Sequence, residues 1–140
     1  MEKKLKVYIA SPYTKGWSFD NVRRQLKAKD ILLNNGFTPF APLMAHFYQI
    51  YTENHDERQM MGWELEWLNV CDFMVRLRVR LEDGSELSSF GSDEEESKAN
   101  EWGIPIYTFW SLEELEYWAK NINPIEIIVE KNTLLEKILS

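Results

Sequence analysis

Ser89, Gly91 and Glu95 stand in the spacing S-x-G-x-x-x-E, with Ala99, Gly103 and Pro105 following. Small residues that lead a loop into a helix expose backbone N–H groups with no intrahelical partner, and such groups hold a phosphate or a hydroxyl. On a helix that begins at Ser92, Glu95 projects from the first turn, where its carboxylate has two readings. It faces the ligand as a nucleophile, or it closes a capping box, because Ser92 and Glu95 also form S-x-x-E. The acidic run from Asp93 to Glu96 equally suits a solvated turn at the positive end of a helix dipole. Local pattern by itself favours the cap.

Asp72 adds weight to the chemical reading. It lies between an apolar helix and an apolar strand, where an unpaired charge is costly, so that two carboxylates could share one cleft; a helix or strand cap is the alternative. Tyr8 lies two residues before Ala10, and its phenol could orient a carboxylate, against ordinary core packing with a satisfied hydroxyl. Ser11-Pro12-Tyr13 follows as a rigid polar-aromatic loop. Other chemistries lack their groups. GxGxxG and the P-loop pattern are missing, and His46 and His55 lie nine apart, outside the short helical spacing of a zinc pair, so no metal site stands out. Cys71 has no neighbouring His and reads as an inert core thiol. The tryptophans read as core or oligomer interface before a base-stacking platform.

The elements that must position these residues follow from periodicity. Leu5 to Ala10 is a short apolar run stopped by Ser11 and Pro12, the pattern of a buried strand delivering a loop. Residues 18–35 carry apolar side chains at helical spacing, with Asn34, Asn35 and Gly36 as a stop. Phe37 to Phe40 reads as a second strand, residues 55–70 as a helix with a wide apolar face, and Asp72 to Leu77 as a third strand. Arg76, Arg78 and Arg80 alternate with Val75, Leu77, Val79 and Leu81, the mark of a strand with one solvated face. Asp83-Gly84 signals a turn, so a hairpin-like flap is expected before a helix over 92–101. A strand at 104–109, a helix at 112–121, a strand-like run at 125–129 and a helix at 133–139 complete the chain. Strands alternating with helices specify an α/β protein, a small Rossmann-like (flavodoxin-like) parallel sheet with helices on both faces, in one domain over 1–140. Ligands then bind beyond the carboxyl ends of the strands.

Composition sets the outer bounds. The chain has 140 residues, 44% of them hydrophobic and 14% aromatic, enough to build one core. A net charge of −7 argues against a binder of nucleic-acid polymers. The excess lies in the second half, since residues 1–70 carry nine basic and eight acidic groups and residues 71–140 carry seven and fifteen. A lone cysteine excludes an internal disulfide and points to a reducing cytoplasm. No apolar run is long enough for export or for a membrane span.

Taken together, Val7-Tyr8-Ile9-Ala10-Ser11-Pro12-Tyr13, Pro42 with His46, Trp63 leading to Cys71-Asp72, and Ser89-x-Gly91-x-x-x-Glu95-x-x-x-Ala99 before Gly103-Ile104-Pro105 resemble the nucleoside 2-deoxyribosyltransferase superfamily. The similarity runs over about residues 5–107, and its short Y-I-A-S-P-Y members and nucleotide N-glycosidase branch match best. The resemblance implies cleavage of an N-glycosidic bond through a Glu nucleophile, which falls on Glu95, with Asp72 assisting at the base or sugar and Tyr8 beside the nucleophile. It implies that Ser11, Tyr13, His46, Ser89 and Gly91 hold the substrate and that no cofactor is needed. Ser89, where transferases of free nucleosides tend to have Asp, implies a nucleoside 5′-monophosphate. The implied activity is hydrolysis of that substrate, with base exchange by deoxyribosyl transfer or a catalytically silent nucleotide-binding module as alternatives. The family assembles as homodimers or larger, and residues 121–140 could supply contacts to a neighbour. The stretch from Arg76 to Leu87 is longer and more charged than the corresponding link in the family.

Overall fold

The computed structural model describes residues 4–13, 18–44, 52 and 56–140. Four strands, β1 (Lys6–Ala10), β2 (Thr38–Phe40), β3 (Phe73–Leu77) and β4 (Ile106–Phe109), form one sheet in the order β2-β1-β3-β4. All three pairings are parallel. Each strand therefore returns to the same edge through a crossover, and helices α1 (Ser18–Asn34), α2 (Glu57–Asn69), α3 (Phe90–Glu101), α4 (Leu112–Asn121) and α5 (Pro124–Leu139) occupy or follow these connections. The expected α/β architecture is the observed one. Pro39 is tolerated within β2 because that strand is at an edge, where a missing N–H breaks no ladder on its outer side.

Alternation along the strands divides the interior. Val7, Ile9, Phe73, Val75, Leu77 and Phe109 point to one face, where α1, α4 and Ile127 of α5 cover them. There Trp118 lies among Phe37, Phe73, Tyr107 and Phe109, with ring centroids between 4.9 and 6.1 Å. Tyr8, Ala10 and Met74 point to the other face, against Leu68 of α2 and Ala99 of α3. The chain leaves β1 towards β2 on one side and later returns on the other side to β3, so the topological switch lies between β1 and β3. Beyond their carboxyl ends is the crevice in which such sheets bind ligands.

Three expectations are corrected. Residues 125–129 are the start of helix α5 and not a strand: Asn123 caps it, accepting from the Ile125 N–H at 3.1 Å, and Pro124 occupies its first turn. The run of β-branched residues was the misleading local signal, and the cap overrides it. Helix α3 starts at Phe90, two residues early, because Ser89 and not Ser92 is its cap. The arginine stripe is solvated only beyond the sheet, since β3 ends at Leu77 and Arg76 within it is 1% exposed, while Arg78 is partly exposed and Arg80 exposed. The flap does exist as a tight turn, with an antiparallel Arg80–Glu86 bridge and Gly84 at φ 89°. Leu87 anchors its return by donating its N–H to the Val79 carbonyl at 2.8 Å.

Candidate active site

The shift in the start of α3 removes the capping-box reading of Glu95. With Ser89 as cap, the Ser92 N–H is satisfied by Ser89 Oγ at 3.2 Å, and Glu95 falls in the second turn, beyond reach of the amides it would cap. Its carboxylate is buried and accepts a hydrogen bond from the Tyr8 hydroxyl, itself buried in the middle of β1. The two are 87 residues apart in sequence. Met74, the β3 neighbour of Tyr8, lies on the same face.

Electrostatics mark this as an uncommon pair. Burial, joined by the nearby Glu64, raises the Glu95 carboxyl to about 8, although the Tyr8 hydroxyl and the Arg76 guanidinium both pull it down. Burial also raises Glu64 to about 7. Tyr8 is pushed well above its ordinary value by burial and then by the two carboxylates, so it remains a proton donor. Two carboxyl groups whose charges feel each other share protons as a unit, and both titrate near neutrality. This is the range in which a carboxyl can act as acid or base.

Glu64 is the residue that sequence reasoning missed. It is half-buried on α2, one residue after Trp63 and four before the buried Leu68. An acid on the apolar side of an amphipathic helix was the available signal. Asp72, which was expected to be the second carboxylate, is at the opposite end of the sheet. It precedes β3, accepts from the Lys6 N–H at 2.8 Å at the start of β1, and pairs with Lys131 of α5 at 3.0 Å. Burial pushes its carboxyl up, but the Lys6 amide and Lys131 outweigh this and hold it below its ordinary value. It behaves as an ionised strand cap, and the groups bearing on Glu95 are Glu64, Tyr8 and Arg76.

The remaining expected residues divide. Ser11, at the carboxyl end of β1, accepts from Gln25 Nε2 at 2.8 Å. Gln25 also donates to the Ile9 carbonyl at 3.2 Å and accepts from the Leu43 N–H at 2.8 Å, so one buried amide ties the loops after β1 and β2 to α1. Ser89 donates to Ser92 Oγ at 2.8 Å, placing two hydroxyls at the head of α3. Gly91 is in that first turn, where an added Cβ would meet only Met61 Cε at 3.7 Å, so packing does not require glycine there. Tyr13 follows the loop after β1, with its carbonyl accepting from Asn21 Nδ2 at 3.1 Å. His46, like His55, lies outside the described residues. Cys71 is buried and raised to about 12 by burial and then by Asp72, so it stays an unreactive thiol. Trp63 and Trp67 are exposed, not core, and both contact Phe40, whose ring centroid is 5.7 Å from that of Tyr8. Among the described residues no group of three or more His, Cys, Asp or Glu could hold a metal, and no helix is long and apolar enough to cross a membrane.

The fold is that of a 2-deoxyribosyltransferase from the psychrotolerant bacterium Bacillus psychrosaccharolyticus, with a TM-score of 0.58 and 16% sequence identity. The similarity covers 87% of this chain and 95% of the other. No curated protein matches the sequence. Residues 5–109, which contain all four strands and the Tyr8–Glu95 pair, match one family throughout, and the chain belongs to it: the family described as Domain of unknown function (DUF7768).

Proposed function

We propose that the protein cleaves the N-glycosidic bond of a nucleoside 5′-monophosphate, with Glu95 as nucleophile. The observation that carries this reading is the buried Glu95 carboxylate, held by the Tyr8 hydroxyl in the middle of the sheet and under the charge of Glu64. Glu95 attacks the anomeric carbon as the bond to the base breaks, giving a glycosyl ester on the enzyme, while Glu64 donates its proton to the departing base. Glu64, now ionised, takes a proton from water, whose oxygen displaces Glu95 and releases the sugar phosphate. The productive form has charge on Glu95 and the proton of the pair on Glu64. Burial favours the reverse placement, raising Glu95 to about 8 against about 7 for Glu64, and Tyr8 and Arg76 work against it by pulling Glu95 down. Ser11, Ser89, Gly91, Tyr13 and His46 form the substrate-binding set in this reading, with the space left by Gly91 allowing close approach to the head of α3.

A second reading, deoxyribosyl transfer, is favoured by the fold shared with the 2-deoxyribosyltransferase. The ester is common to both, and only the acceptor differs, water or a second base. Incubation with deoxynucleoside monophosphates, nucleosides and free bases, followed by chromatography, separates them. Base release from monophosphates supports the hydrolase, and exchange of bases supports transfer. Glu95→Gln is expected to reduce either by at least about a thousandfold. Turnover that survives this substitution removes Glu95 as nucleophile.

A further inference from the structure

Among the described residues Arg76 is the largest fully buried side chain, at 1% exposure. It lies at the topological switch, paired in register with Ala10, the last residue of β1. Its Nη2 donates to Asp93 Oδ1 at 3.1 Å, in the first turn of α3, while Nε and Nη1 have no hydrogen-bond partner. Asp93 is 61% exposed, so its pairing returns little for burying a guanidinium. Buried donors left vacant cost about 1–3 kcal/mol, more when charged, so a site that keeps two of them has a use for them. Arg78, two residues on, contrasts with it: that guanidinium is partly exposed and pairs through both Nη atoms with Glu86 of the flap and Glu96 of α3.

We infer that Arg76 is the phosphate-binding and specificity-determining residue of the site, using its vacant Nε and Nη1 donors with the Ser89 and Ser92 hydroxyls at the head of α3 to hold the 5′-phosphate of the substrate. The inference rests on the function proposed above and names the residue that makes it selective. Guanidinium donors suit a phosphate because two N–H groups meet two oxygens of one anion. The helix amides supply further donors at the same place. Glu95 lies within the influence of Arg76 without bonding to it, so a sugar bridging the two would have its anomeric carbon at the nucleophile and its phosphate at the arginine.

The test uses Arg76→Met, which fills similar volume and removes both the charge and the vacant donors. Replacing a poorly compensated buried charge with an apolar side chain is expected to leave the melting temperature unchanged or higher. Binding of inorganic phosphate and of ribose 5-phosphate is measured by calorimetry at matched ionic strength for the wild type, Arg76→Met, Arg76→Lys and Glu95→Gln. The wild type and Glu95→Gln are expected to bind ribose 5-phosphate. Arg76→Met is expected to lose roughly 10- to 100-fold in affinity, with only partial recovery in Arg76→Lys. In turnover assays the ratio of kcat/KM for monophosphate over nucleoside is expected to fall by a similar factor. Equal binding by the wild type and Arg76→Met, or no binding of either phosphate by the wild type, overturns the inference. Phosphate binding that depends on Arg76 without any base release overturns the glycosidase reading and leaves the anion site standing.

Discussion

Glu95 sits where a carboxylate is expensive to ionise, and its titration is tied to folding. Its ordinary value of 4.5 is raised to about 8 in the fold. Between those values the unfolded chain releases the proton while the folded chain retains it, so this group's stabilising contribution is complete at low pH and is lost as pH rises towards 8. Glu95→Gln, which never ionises, escapes that loss. Its melting temperature relative to the wild type is expected to climb between pH 5 and pH 9, by roughly 5 °C or more, in thermal denaturation. A constant difference across that range would mean that Glu95 is not desolvated. The two other acids at issue separate by what they lose. Glu64→Gln is expected to lower kcat by about 100-fold or more, because it removes the proton donor to the base. Asp72→Asn is expected to cost about 1 kcal/mol of stability near neutral pH, through the Lys6 and Lys131 contacts, with turnover falling far less than for Glu64→Gln. Because the Asp72 carboxyl is held below its ordinary value, that contribution is present at neutral pH and disappears as the medium is acidified below the usual carboxylate range. A larger kinetic defect in Asp72→Asn than in Glu64→Gln would restore Asp72 to the catalytic pair.

At the scale of elements, the sequence reveals whatever is settled by neighbouring residues and conceals what is settled by cover. β1 and β3 were legible because short apolar runs bounded by breakers and alternating with helices fit the buried strands of a parallel sheet, and α4 because its apolar positions and Ser111 cap agree. Arg76 was misread because period two assigns it to a face without saying that α3 lies over that face. Glu64 was overlooked for the same reason: its meaning comes from Glu95 across the packing of α2 on α3. The turn between α3 and β4 shows how tightly one such junction is set. Gly103 has φ 71°, and a Cβ there would come within 2.8 Å of Ile138 Cδ1 and 3.2 Å of Leu135 Cδ2 on α5. Gly103→Ala therefore combines left-handed backbone strain with a clash against a helix that must yield. A loss of about 1–3 kcal/mol is expected in chemical denaturation, and a neutral result would show that α5 is free to move off this turn.

For the molecule as a whole, the decisive feature is that α5 is buried through little more than Ile127, while Ile125, Ile128, Val129, Leu135, Ile138 and Leu139 are exposed. Six large apolar side chains on one 16-residue helix exceed what scattered surface hydrophobes explain. The same helix holds Lys131 on Asp72 and its methyl groups over Gly103, so its placement on the sheet is fixed and its outer side is presented as a unit. A second copy of the chain carries the same apolar helix, and a two-fold axis lets each copy cover the other without leaving an open end for further growth. Sedimentation equilibrium is expected to give the mass of two chains, and the double substitution Ile128→Glu with Leu139→Glu, at exposed positions, is expected to return the monomer while preserving the helical circular dichroism. A wild-type monomer at all concentrations would refute the pairing. Comparison of turnover in the dimer and in this monomeric variant then shows whether the neighbour does more than cover α5, since a site completed by the partner loses activity with the partner, whereas one built from Tyr8, Glu64, Arg76 and Glu95 alone keeps it.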